Sequence, residues 1–125
     1  MIKGLHHISM KCGTLEEYVR ARTFYRDILC LPVKREWSTG IMFDTGTGLI
    51  EVFNDGEGIK AKGAIQHFAF ITNDVDTCIE RIRLAGYKIT TEPKDVVLDS
   101  FPPYPLRIAF CEGPLGEEIE ILMEK

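Results

Sequence analysis

GLHHISMKCGTLEEYVRARTFYRDILCLP, residues 4–32, joins a short extended run to one amphipathic helix, and that junction decides how the rest of the chain is read. Residues 4–12 read as a strand. Thr14 and Glu17 then stand in capping-box spacing, and Leu15, Tyr18, Val19, Ile28 and Leu29 follow at helical intervals, which predicts a helix of about four turns. Pro32 closes it. Three short apolar runs come next, VKREW (33–37), GIMFDT (40–45) and GLIEVF (48–53), separated by STG and GTG turns. The first half is therefore βαβββ.

The order then repeats. NDGEGIKAKG, residues 54–63, is rich in glycine and charge, has no apolar periodicity, and reads as a linker. AIQHFAFIT (64–72) is a strand. DVDTCIERIRLAG (74–86) is a helix with Asp74 at its N-terminal cap, Gly86 at its C-terminal end, and Val75, Cys78, Ile79, Ile82 and Ala85 on one face. YKITTEP (87–93), PLRIAFCE (105–112) and EEIEILM (117–123) supply further strands. The expectation is a single α+β domain, 1–125, made of module one (1–53), a linker (54–63) and module two (64–125). Identity between the halves is low, so the duplication is inferred from element order and matched histidines.

Strand parity separates the candidates for chemistry. Alternate side chains face opposite ways, so His6 shares a face with Ile8 and Met10, while His7 shares one with Ser9 and Lys11. His6 is thereby assigned to the apolar, helix-packed face and His7 to the other. In QHFAFI, Phe68 and Phe70 go together and leave His67 with the small Ala69 and with Ile71. The last strand of each half holds an acid among apolar neighbours, Glu51 in LIEVF and Glu120 in EIEIL. A carboxylate buried there is costly to ionise unless it is paired or metal-bound. Taken singly, a strand histidine fits a hydrogen-bonded core role and a strand glutamate fits a solvent-facing edge. Their repetition, one His on the first strand and one Glu on the last in both halves, points to a divalent first-row metal ion: nickel, zinc, cobalt, manganese or iron.

Composition removes other classes. With 125 residues, 45% hydrophobic and 27% charged, the chain has the make-up of one packed globular domain. A net charge of −4 with scattered Lys and Arg leaves no footprint for nucleic acid or anionic lipid, and no run approaches a membrane span. A cytoplasmic location is expected. Cys12, Cys30, Cys78 and Cys111 show no C-x-x-C spacing and lie in or beside apolar stretches, as buried reduced thiols do.

GLHHISM, FYRDILCLP, GLIEVF, QHFAFITNDVD and GPLGEEIEIL together resemble the vicinal oxygen chelate superfamily over essentially the whole chain. That superfamily includes glyoxalase I, extradiol dioxygenases, fosfomycin-resistance thiol transferases, methylmalonyl-CoA epimerase and bleomycin-resistance proteins. The resemblance implies two βαβββ modules forming a cupped, mostly antiparallel sheet around a metal, with His7, Glu51, His67 and Glu120 at the ligand positions. Glu118 shares the parity of Glu120, but the family's ending selects Glu120. Two departures fall in loops: Leu29, Cys30 and Leu31 replace the usual leucine-glycine after the helix, and Gly113, Pro114, Leu115 and Gly116 replace the usual turn before the last strand.

Within the superfamily, a second carboxylate ligand resembles glyoxalase I, because dioxygenases and thiol transferases generally use two histidines and one glutamate. The implied activity is a metal-dependent lyase or isomerase that transfers a proton next to a carbonyl of a small molecule, of lactoylglutathione lyase or epimerase type. Glu120 is then the leading base and Glu51 a ligand or opposite-face base. The first-strand arginine of glyoxalase I is missing, and Lys11 is the nearest cation. Arg107, on a strand entering the cup, is a candidate for binding an anionic substrate group. Trp37, Met42 and Phe43 are candidates for lining the pocket or for ordinary packing, and LDSFPPYPLR (98–107) for a lid or a stiff surface loop. A non-catalytic binding protein of bleomycin-resistance type, or an extradiol dioxygenase, is the alternative. A homodimer is expected, because a small sheet leaves edges to cover.

Overall fold

The computed structural model describes residues 1, 4–56, 65 and 67–125. Two compact units emerge, Met1–Lys60 and Ala61–Lys125, and among the described residues each carries a helix and a four-stranded sheet in the order strand, helix, three strands. The architecture is α+β, as expected. Most of the expected linker, 57–63, lies outside the described residues.

In the first unit β1 (His7–Lys11) leads to α1 (Leu15–Thr23), which runs into a π-helical stretch, Phe24–Ile28. The Thr14 hydroxyl accepts the Glu17 N–H at 3.1 Å, and the Glu17 carboxylate reaches back to the Gly13 N–H at 3.0 Å, one residue earlier than a capping box would place it. The buried positions on this helix are Tyr18, Ala21, Phe24 and Tyr25, spaced by three and four. Leu15 and Val19, expected in the apolar stripe, are exposed. The aromatic side chains offer more apolar area, and the wider π turn brings the neighbours Phe24 and Tyr25 inward together.

The helix does not end on a glycine. Cys30 takes φ +59°, the left-handed backbone region that glycine usually fills, and the chain leaves the helix with the Leu31 N–H donated to the Tyr25 carbonyl at 3.0 Å. The expectation that all four cysteines are buried holds for Cys12 and Cys111, but Cys30 is exposed and Cys78 half-buried. Burial pushes the Cys111 thiol up to about 12, so it stays protonated.

β2 (Val33–Trp37), β3 (Gly40–Asp44) and β4 (Leu49–Phe53) complete the sheet in the order β1-β4-β3-β2, with β1 and β4 parallel and the other pairs antiparallel. Gly46, at φ +89°, makes the β3–β4 turn, where its N–H meets the Asp44 carboxylate at 2.7 Å. One face of the sheet carries Ile8, Met10, Ile41, Phe43, Ile50 and Val52. It packs on the helix: the Tyr25 and Phe43 rings lie 5.8 Å apart, and Ile41, Phe43, Ile50 and Val52 are fully or almost fully buried. Each such side chain contributes roughly 1.5–3 kcal/mol. The opposite face, with His7, Ser9, Lys11, Met42 and Glu51, is left for the site.

The second unit repeats the pattern with β5 (Phe68–Ile71), α2 (Val75–Leu84), β6 (Ile89–Leu98), β7 (Tyr104–Glu112) and β8 (Glu118–Glu124), in the order β5-β8-β7-β6. Asp74 caps α2 by accepting the Thr77 N–H at 3.0 Å, which holds its carboxyl below the usual range. Gly86, at φ +91°, turns the chain out of the helix. Val75, Ile79 and Ile82 are buried, and α2 packs on β6, β7 and β8. Phe68 and Phe70 share the helix-facing row with Ile119, Ile121, Ala109 and Cys111.

β6 is longer than the sequence suggests. It continues past Pro93, which sits where the pairing with β7 slips, a position open to proline because β6 is an edge strand. Pairing persists to Leu98 opposite Tyr104, so most of the segment proposed as a lid is a β-hairpin, with its turn at 99–103 and Phe101 exposed at the tip.

Candidate metal centre

Each unit brings one histidine and one glutamate together by the same local geometry. β1 and β4 run parallel with Ser9 opposite Glu51, so His7, two residues earlier on the same face, lies diagonal to the carboxylate. His7 Nε2 is 3.6 Å from Glu51 Oε1. In the second unit β5 and β8 run parallel with Ala69 opposite Glu120, and His67, two residues earlier, places Nε2 3.2 Å from Glu120 Oε2. The residues directly opposite the two carboxylates, Ser9 and Ala69, are both small.

The carboxylates are covered and the imidazoles are not. Side-chain exposure is 9% for Glu51 and 14% for Glu120, against 39% for His7 and 40% for His67. Among the described residues, each carboxylate has its histidine as sole ion-pair partner. A carboxylate so placed gains from a cation. Two donors of one divalent ion, each roughly 2.0–2.2 Å from it, stand roughly 2.8–3.6 Å apart across octahedral to tetrahedral angles. Separations of 3.6 and 3.2 Å are of that size, and imidazole with carboxylate suits first-row divalent ions, so the residues fit the group. The candidates form two pairs, one per unit, and no group of three or more His, Cys, Asp or Glu side chains gathers around one point among the described residues.

The surroundings of the two histidines differ. His67 has the Phe110 ring edge-on at 5.2 Å, and Phe110 is also the cross-strand neighbour of Glu120. His7 has His6: the two Nδ1 atoms are 2.8 Å apart, with the rings nearly perpendicular at 85°. His6 was expected on the helix-packed face but is exposed. The strand begins at His7, so the alternation that placed His6 with Ile8 and Met10 does not extend back to it. Both Phe110 and this histidine contact escape sequence reasoning, although the adjacent pair of histidines was a visible signal.

The cations divide. Lys11 is exposed on the His7 face, its Nζ 6.0 Å from the centre of the Phe53 ring. Arg107 lies on the other side of its sheet, in the row of Ala109 and Cys111 rather than that of Phe110 and Glu120. Its guanidinium grips Asp76 at 2.6 and 2.7 Å and Asp95 at 3.0 Å, and Asp95 also holds Lys125 at 2.9 Å. Those bonds raise the Arg107 pKa and hold the Asp76 carboxyl below its usual range. The structure therefore gives Arg107 a structural engagement away from the histidine-bearing face. Of the expected lining residues, Met42 is buried directly opposite Glu51, Phe43 faces the helix, and Trp37 donates its Nε1–H to the Thr39 hydroxyl at 3.0 Å with its ring edge-on to Phe53.

A model of the Glyoxalase/Bleomycin resistance protein/Dioxygenase superfamily matches residues 4–121. No curated protein sequence matches the chain. Among solved structures, a glyoxalase family protein from Bacillus anthracis is 19% identical, with 100% of this chain and 98% of that one covered and a TM-score of 0.73. A glyoxalase/bleomycin resistance protein/dioxygenase from Alicyclobacillus acidocaldarius is 13% identical, covering 98% and 92%, with a TM-score of 0.70. A lactoylglutathione lyase from Agrobacterium tumefaciens is 15% identical, covering 98% and 95%, with a TM-score of 0.65. At these identities the structural likeness establishes the shared fold.

Proposed function

The chain belongs to the Glyoxalase/Bleomycin resistance protein/Dioxygenase superfamily, and on that premise we propose that it is a metal-dependent lyase or isomerase that moves a proton next to the carbonyl of a small molecule. The observation that carries this reading is the His–Glu diagonal pair repeated in both units, which supplies a second carboxylate beyond a two-histidine, one-glutamate set. Residues 1–125 then work as one domain. Module one (1–53) contributes His7 and Glu51 as metal ligands, and module two (64–125) contributes His67 and Glu120.

Bound there, the ion supplies Lewis acidity for the negative charge that gathers on a substrate oxygen as the neighbouring carbon loses its proton. The protein does the rest. Neutral His7 and His67 present their Nε2 lone pairs. Glu120, the less covered carboxylate, with Phe110 as its cross-strand neighbour, takes the proton from carbon and returns it. Glu51, more deeply buried and backed by Met42, serves as a ligand or as the base on the opposite face. Lys11 is the cation on the His7 face that could meet an anionic substrate group. Arg107 is not retained for that role, because three of its five N–H donors are engaged by Asp76 and Asp95 and it lies in the row of Ala109 rather than that of Glu120.

The test has two arms. Protein purified without added metal is analysed for metal content, and the metal-loaded protein is incubated in deuterium oxide with 2-oxoaldehyde–thiol adducts and acyl thioesters. About one equivalent per site with deuterium entering the carbon next to the carbonyl is expected. Oxygen uptake with catechols and no deuterium incorporation would overturn the reading in favour of a dioxygenase, and absence of metal binding would leave a binding protein.

A further inference from the structure

His6 Nδ1 and His7 Nδ1 are 2.8 Å apart, a hydrogen-bond distance between two ring nitrogens, so one must carry the proton and the other the lone pair. The remaining ring nitrogen of His7, Nε2, faces Glu51 at 3.6 Å. The proton position at the first contact decides what His7 offers at the second. If His7 Nδ1 donates, Nε2 bears a lone pair; if His7 Nδ1 accepts, a neutral ring carries its proton on Nε2 and cannot ligate a cation there.

We propose that His6 is a positioning residue, whose Nδ1 accepts the His7 Nδ1–H and so holds His7 in the tautomer and ring orientation that direct the Nε2 lone pair toward the Glu51 side. This rests on the metal reading above. Two further contacts make His6 able to do it. The Leu49 N–H donates to the His6 carbonyl at 3.0 Å, which ties the His6 backbone to β4, the strand that also carries Glu51. Gly48, next to Leu49, packs close enough that an added Cβ would lie 3.4 Å from that same carbonyl oxygen, so the strand lies directly against residue 6. An outer hydrogen-bond partner fixed in this way normally sets the tautomer of a ligating histidine and raises its basicity. His67 has an aromatic edge beside its ring, so the two halves of the site hold their histidines by different means.

The experiment compares zinc binding by wild type, His6→Leu and His6→Asn, with long-range proton–nitrogen NMR of the imidazoles in the zinc-loaded wild type. Leucine removes the acceptor, and asparagine restores an oxygen acceptor close to the place of Nδ1. The expected result is one equivalent of zinc in all three, an affinity roughly 10–100-fold weaker in His6→Leu, and recovery to near wild type in His6→Asn. The NMR should show a protonated Nδ1 on His7 and an unprotonated Nδ1 on His6. Equal affinity in wild type and His6→Leu would overturn the proposal, as would equal weakening in both variants, which a merely structural role predicts, or a protonated His6 Nδ1 with zinc bound. If wild type itself binds no zinc, the metal reading fails first, and that result is told apart because it does not depend on residue 6.

Discussion

His7 sits diagonal to Glu51 across the parallel β1–β4 pair, Nε2 to Oε1 3.6 Å, because Ser9 and not His7 is the residue opposite the glutamate. The same offset recurs with Ala69 opposite Glu120 and His67 two residues before it. A diagonal contact across parallel strands leaves the two donor atoms near each other without forcing them into direct contact. That spacing is what a shared cation needs, and it leads to the first expectation.

His67→Ala and His7→Ala should each abolish stoichiometric metal binding, whereas His6→Ala should retain one equivalent at weaker affinity. Metal content after exhaustive dialysis checks this. Loss of the equivalent in His6→Ala with retention in His7→Ala would show that the wrong histidine has been assigned.

Glu120→Gln keeps an oxygen donor and removes the base. Turnover should fall by roughly 10²-fold or more, within the range for general-base catalysis, while most of the metal remains. Rates of solvent deuterium exchange at the substrate carbon, measured beside metal content, separate lost chemistry from lost metal.

Arg107→Ala should leave KM unchanged and alter the acid limb of stability instead. The Asp76 carboxyl is held below its ordinary value by the Arg107 guanidinium, so the stabilisation is present above the unfolded-state pKa and is lost as pH falls through the lower folded-state value. Urea midpoints should therefore decline for wild type on acidification below about pH 4, and decline less steeply for the variant. A raised KM for an anionic substrate at unchanged stability would return Arg107 to the substrate.

Cys30→Gly should stabilise the protein by about 0.5–1 kcal/mol, because glycine removes the cost of a left-handed backbone at φ +59° but adds chain entropy to the unfolded state. Cys30→Val should destabilise it by about 1 kcal/mol or more. Thermal midpoints in reducing buffer decide the matter. Equal midpoints in all three proteins would mean that position 30 carries no strain.

A homodimer is expected in solution. Each sheet has two edge strands, and Leu15, Val19, Val97 and Phe101 are exposed on the single chain. Light scattering at micromolar concentration should give twice the chain mass, and a monomer there would count against it.

The order of elements and the identity of the candidate ligands were readable from local patterns alone. Thr14 and Asp74 cap helices through bonds to residues three positions on, Pro32 and Gly86 act through their own backbone, and the short apolar runs of β3, β4 and β8 are a property of each strand alone, so all could be read without the fold. Other features depended on partners far along the chain. Arg107 looked available for a substrate until the fold set Asp76 and Asp95 against it, and no local pattern announces a partner 31 residues away. His6 was misplaced because alternation holds only inside a strand, and where β1 begins is settled by its pairing with β4. The offset that brings His7 to Glu51 and His67 to Glu120 is likewise a matter of register between first and last strands. Register is chosen by burial of the helix-facing rows, Ile8 with Ile50 and Phe68 with Ile119, and slipping either pair by one residue would turn its histidine or its glutamate into the core.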